Sequence, residues 1–167
     1  MKKLILLLLF IPLVSFGQDL AFIGEKSYPS TPEFRLAHQY DDLYISFIEF
    51  ENDIHVIVKT EYIYDSYNPT INGKLILYLD DGNVVISEKP EYTDYVDESC
   101  ISRYPLDTEQ VENLIESNIN TIRYNISVPS KPVQPKVQSR TAKNNSYSIN
   151  SALGLFANEL EEIPVLR

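Results

Sequence analysis

The sequence predicts an α+β fold dominated by antiparallel sheet, sandwich-like or strongly curved, with one short capped helix and a C-terminal helix. Three observations predict it. Val, Ile, Tyr and Phe recur in short alternating runs over residues 18–128, the period-2 signal of strands. Asp107 opens a segment that carries helix start signals. Residues 151–163 hold a wide apolar face that Pro164 ends. The 167 residues carry 14 Lys+Arg against 24 Asp+Glu, a net charge of −10, and the length suits one domain with its own core.

Met1–Gly17 reads as a Sec-type signal peptide. Lys2 and Lys3 form a positive n-region, Leu4 to Val14 is an apolar run, and Ser15 and Gly17 are small residues at the cleavage site. That run is too short to span a bilayer comfortably, and no Cys follows the cleavage site to accept a lipid. The expected mature chain starts at Gln18 and is periplasmic or extracellular. Cleavage removes two Lys and no acid, leaving a net charge of −12. Cys100 is then the single cysteine of an exported chain, so an internal disulfide is excluded. It reads as a small buried hydrophobe, because no neighbouring His or basic cluster would lower its pKa.

The strands follow in order. Glu33–His38 sets Phe34, Leu36 and His38 on one face. Leu43–Phe50 sets Leu43, Ile45 and Phe47 on one face and Tyr44, Ile48 and Phe50 on the other, so both faces can be covered. Glu51-Asn52-Asp53 turns the chain, and Ile54–Thr60 returns as the second arm of a hairpin. The clearest hairpin is Lys74–Ser87, where Leu75, Leu77 and Leu79 alternate with Ile76 and Tyr78. Asp80-Asp81-Gly82-Asn83 reverses it, with Asp81-Gly82 expected in a type I′ turn.

A helix is expected near 107–117. Asp107 is the N-cap and Gln110 completes a capping box. Leu106 and Val111 form a hydrophobic staple, and Val111, Leu114 and Ile115 make a narrow apolar stripe. Asn118-Ile119-Asn120 closes the helix, and Thr121–Val128 follows as a strand with Ile122, Tyr124 and Ile126 together. Residues 129–150 hold Lys131, Lys136, Arg140 and Lys143, no acid, and Pro129, Pro132 and Pro135. They read as a basic linker or loop, with a charge-complementary strap and an anionic-partner docking segment as alternatives. The last helix, 151–163, spreads Ala152, Leu153, Leu155, Phe156 and Leu160 over its apolar face and either docks or hangs free. Gly154 weakens it by about 1 kcal/mol relative to Ala.

The runs Lys74–Gly82, Asp94-Tyr95-Val96-Asp97, the capped helix, Ile119–Arg123 and the opening Ala21–Pro29 together resemble a group of small uncharacterised secreted proteins of Bacteroidetes. The signal ending Ser15-Phe16-Gly17-Gln18 is similar to theirs. The resemblance spans most of residues 1–128 and fades beyond Val128. It brings no catalytic motif, so it implies export and carries no activity and no functional residue.

The acidic balance disfavours nucleic acid and anionic membrane surfaces as partners. No segment after the leader is apolar and long enough for membrane insertion. Gly-x-Ser-x-Gly, P-loop and dinucleotide glycine patterns are missing, so no cofactor, metal or catalytic residue is assigned. His38 and His55 stand on separate strands and share no metal-ligand spacing. The acidic pairs Asp41-Asp42, Asp80-Asp81 and Asp97-Glu98 read as solvated turns. What stands out is tyrosine, with 12 residues. Tyr62, Tyr64 and Tyr67 cluster before Asn68-Pro69, and Tyr92 and Tyr95 sit in a second acidic loop. Tyr combines an apolar ring with a polar tip, which suits a recognition surface or a half-exposed sheet. The expected function is a non-catalytic exported binding domain that contacts a protein or glycan through these tyrosines. The alternatives are an exported inhibitor of a cationic enzyme and a small carboxylate-dependent hydrolase.

Overall fold

Alternation in the sequence becomes strand after strand in the computed structural model, which describes residues 19–38, 42–61, 69–96, 98–128 and 136–162. The elements are β1 (Asp19–Ile23), β2 (Lys26–Ser30), β3 (Phe34–Leu36), β4 (Leu43–Phe50), β5 (Asp53–Glu61), β6 (Thr70–Leu79), β7 (Val84–Ser87), β8 (Tyr92–Val96), β9 (Ser99–Pro105), α1 (Thr108–Glu116), β10 (Ile119–Val128), β11 (Lys136–Lys143) and α2 (Ile149–Glu162). Every strand pairing is antiparallel. The fold is α+β, with a strongly curled half-barrel sheet and a helix at the C-terminal end.

The larger sheet has seven strands, in the order β1-β2-β4-β5-β9-β8, with β3 also pairing β4. The smaller sheet runs β11-β10-β6-β7. Inward residues of both sheets form the main core: Leu36, Leu43, Ile45, Phe47, Val56 and Val58 from one, Ile71, Leu75, Leu77 and Ile122 from the other. Each fully buried aliphatic side chain contributes about 1.5–3 kcal/mol relative to exposure. Leu114 of α1 and Leu153 and Phe156 of α2 close that core. The second helix therefore docks. Its first free N–H groups, on Ile149 and Asn150, donate to Asn118 Oδ1 at 2.9 and 3.3 Å, which satisfies donors that any helix start leaves orphaned. Of its expected apolar face, Leu155 instead points to solvent at 67% exposure.

The cap of α1 is as expected. Asp107 accepts from the Gln110 N–H at 2.8 Å, and the Gln110 side chain accepts from the Asp107 N–H at 3.1 Å. Two expectations need correction. The stretch 129–150 contains β11, which pairs with β10 from Thr121↔Lys143 onward and buries Ala142. A polar edge strand needs only one buried side chain in register, so composition alone resembles a loop. The β6–β7 turn is not type I′. Only Gly82 has positive φ, at 92°, and Gly82 N–H donates to Leu79 O at 3.1 Å while Leu79 N–H donates to Asn83 O at 2.9 Å. That is a three-residue loop with a bulge at glycine. The Asp81 carboxylate stabilises it by accepting from Asn83 N–H at 2.9 Å.

Candidate functional site

The expected tyrosine surface divides. Tyr62, Tyr64 and Tyr67 lie outside the described residues. Tyr92 and Tyr95 lie not in the expected loop but on β8, which pairs with β9; they stand three residues apart, so the pleat sends them to opposite faces. Tyr92 stands opposite Arg103, and Tyr95 stands opposite Cys100. The Tyr95 hydroxyl meets Thr70 Oγ1 of the smaller sheet at 2.5 Å. Tyr92 faces away from that sheet. The two histidines divide in the same way. His38 stacks edge-on against Tyr124 of the main core, whereas His55 stands opposite Ile48 on the other face of the large sheet. No group of three metal-ligating side chains occurs among the described residues.

The face that carries Tyr92 has its own small core. Ile23, Ile48 and Ile57 are buried there, with Ala21, Tyr28, Phe50, Tyr92 and Ile101 packed around them. The β1–β2 hairpin folds over it. Its tip, Gly24-Glu25, has positive φ at the first residue only, 59° at Gly24, the pattern of a type II′ turn. A Cβ on Gly24 would stand 3.3 Å from the Tyr92 hydroxyl, on the strand at the far edge of the sheet. Glycine is thus needed there for both backbone and space, and the contact measures how far the sheet curls.

Charged and aromatic groups gather at one end of this curl. Register places His55 opposite Pro105 and Ile57 opposite Arg103 across β5 and β9. Arg103 is 8% exposed and His55 5% exposed. The guanidinium carbon of Arg103 lies 3.5 Å from the Phe50 ring centroid and 5.9 Å from that of Tyr92. Tyr28 packs on Phe50 at 5.5 Å, and His55 meets Phe50 edge-on at 5.4 Å. The Tyr92 hydroxyl donates to Asp94 Oδ2 at 3.0 Å. That bond, then burial, holds the Tyr92 pKa above its usual value.

Among the described residues, Glu91 is the acid that comes within 4 Å of both buried side chains, Arg103 and His55. Its Oε2 lies 3.6 Å from Arg103 Nη2 and 3.8 Å from His55 Nδ1, and its side chain is 45% exposed. Both separations exceed hydrogen-bond range. Arg103 Nε and His55 Nδ1 are buried without a hydrogen-bond partner. Burial, and next the adjacent Arg103, holds the His55 pKa below its ordinary value, so the ring favours its neutral form.

Sequence reasoning weighed His55 only as a metal ligand and passed over Arg103. One signal was present: Arg103 is the single charged residue within the strand Ser99–Pro105. Of the acidic pairs, Asp81 bonds within its own turn, while Asp42 and Asp80 each engage another side chain. Asp42 holds Arg35 in an ion pair at 2.5 Å, and Asp80 accepts from the Asn120 side chain at 2.9 Å. Asp41 and Asp97 lie outside the described residues. Comparisons with protein-family models, with curated proteins and with solved structures return no match.

Proposed function

We propose that the mature chain is an exported, non-catalytic recognition domain, and that its contact surface is the end of the curled sheet where Tyr92 and Glu91 flank Arg103 and Asp94 holds the Tyr92 hydroxyl. The observation that carries this reading is the Arg103 guanidinium held at 3.5 Å over Phe50 and within 5.9 Å of Tyr92. Aromatic and Arg side chains fixed on rigid strands lose little entropy on binding and concentrate interface energy. Of the tyrosines expected from sequence, Tyr92 is the one that the described residues contribute to this surface, with its acidic neighbours retained. Tyr95 is excluded because it turns to the smaller sheet. The leader at Met1–Gly17 supports export.

The test uses mature protein, residues 18–167, on a glycan array and against envelope proteins. Ligands captured by the wild type are expected to be lost with Tyr92→Ala and kept with Tyr95→Ala. Capture that survives Tyr92→Ala, or that fails with Tyr95→Ala alone, would reject this surface. Export is checked separately by the mass of the chain recovered outside the cytoplasm, which is expected to begin at Gln18.

A further inference from the structure

We propose that Arg103 and His55 form a receptor for a monoanionic carboxylate on a ligand whose body packs against the Tyr92 ring, and that Glu91 is the placeholder such a ligand displaces. The inference rests on the reading of this end of the sheet as the contact surface, and it names the ligand chemistry.

The geometry of the guanidinium carries it. Phe50 covers one flat face of Arg103, so the hydrogen-bonding edges stay free. Nε–H and one Nη2 N–H share an edge and point in parallel, which is the fork that a carboxylate grips with both oxygens. In this protein that edge faces an acidic oxygen without reaching hydrogen-bond range. Nη2 has one Glu91 oxygen at 3.6 Å, and Nε has no partner although it is buried. His55 Nδ1 has the same oxygen at 3.8 Å and also lacks a partner. A buried polar atom left without a partner costs about 1–3 kcal/mol. Two such atoms beside one loosely held carboxylate describe a site whose proper occupant is elsewhere.

Glu91 is suited to give way. Its backbone N–H donates to Arg103 O at 2.9 Å, which pins its Cα beside the site. Its carboxylate, by contrast, makes no bond within hydrogen-bonding range to either base and is close to half exposed. Rotation of the side chain toward water frees a carboxylate-sized position next to both bases. Tyr92, at the rim, offers a ring for the body of the ligand. The negative chain as a whole disfavours dianions, which selects a monoanionic carboxylate over a phosphate.

Two sources share this chemistry, a peptide C-terminus and the uronic acid of a glycan. The experiment titrates isotopically labelled mature protein with N-acetylphenylalanine, with its amide, and with glucuronate. The Arg103 Nε–H and His55 ring resonances are followed by NMR. One of the two acids is expected to shift both resonances saturably. N-acetylphenylalanine doing so assigns a peptide end, and glucuronate assigns a glycan. The amide is expected to shift neither. Glu91→Gln, which removes the competing charge, is expected to tighten binding about fivefold or more. Arg103→Lys keeps the charge, loses the fork, and is expected to abolish the response.

Silence from both acids, equal binding of the amide, or unchanged or weaker binding by Glu91→Gln would overturn the receptor. Silence from both acids while Tyr92-dependent capture persists would remove the carboxylate and leave the contact surface standing. Acid binding with capture that ignores Tyr92 would do the reverse.

Discussion

A buried guanidinium and a buried imidazole side by side are costly unless something compensates them. Phe50 does part of this for Arg103, since a cation over an aromatic face is stabilised by about 0.5–2 kcal/mol. His55 is compensated differently, by staying neutral. Its pKa is lowered first by burial and then by Arg103, while Glu91, Asp53 and Glu51 pull the other way. The sign follows. Below the ordinary His value of about 6.5, the unfolded chain takes up a proton that the folded chain resists, so stability falls as pH falls through that range. Above it His55 contributes no pH dependence. Urea unfolding at a series of pH values between 5 and 8 is expected to show a shallower acid-side loss for His55→Gln than for the wild type. Equal slopes would mean that His55 titrates alike in both states. At this scale the sequence was only partly legible. The opposition of Tyr92 and Tyr95 follows from a spacing of three on a strand. The burial of Arg103 does not, because it depends on a hairpin more than sixty residues earlier folding over the same face.

Elements were the most legible scale, because their signals are local. Asp107 and Gln110 sit three apart and satisfy each other's backbone donors, as their residue types require. Asp107→Ala is expected to lower stability by about 0.5–2 kcal/mol in chemical denaturation, and Asp107→Asn to recover most of it. The β4–β5 turn is less well matched to its sequence. Phe50 pairs with Asp53, and both intervening residues have positive φ, 55° at Glu51 and 73° at Asn52. That is a type I′ turn, which favours Asn then Gly, and Glu in the left-handed region costs about 1 kcal/mol or more. The double variant Glu51→Asn/Asn52→Gly is expected to stabilise the protein by about 1 kcal/mol, read as a higher urea midpoint at unchanged slope. The two turns show why turn type is harder to read than turn position. Asp81-Gly82 has the I′ composition and adopts another loop, whereas Glu51-Asn52 lacks the strongest I′ signal and adopts it. Closing-pair register decides, and register is set by strands packing on the core. The same cause hid β11, whose polar residues become a strand only because β10 offers it an edge.

For the whole molecule, alternation states that sheets exist and is silent on which strands join which sheet. The chain crosses from β7 of the smaller sheet to β8 of the larger, and returns through α1 to β10. Polar contacts then stitch the two layers. Ile71 N–H lies 3.4 Å from Cys100 Sγ, Ser102 Oγ donates to Ile71 O at 3.2 Å, and Ser87 Oγ donates to Pro105 O at 2.9 Å. Elsewhere Ala37 and Lys143 exchange backbone hydrogen bonds of 3.0 and 2.9 Å. A seam tied at several places resists opening one layer at a time, which predicts a single cooperative unit. Cys100 is a probe already set in that seam. It is fully buried, and burial pushes its thiol pKa up, so a thiol reagent reaches it only after the layers separate. Labelling by iodoacetamide in sub-denaturing urea is expected to accelerate with a slope equal to that of equilibrium unfolding, because exposure of Cys100 then requires the same surface to be exposed. A markedly shallower slope would mean that the seam parts locally, that the smaller sheet opens on its own, and that the two layers are separate units of stability.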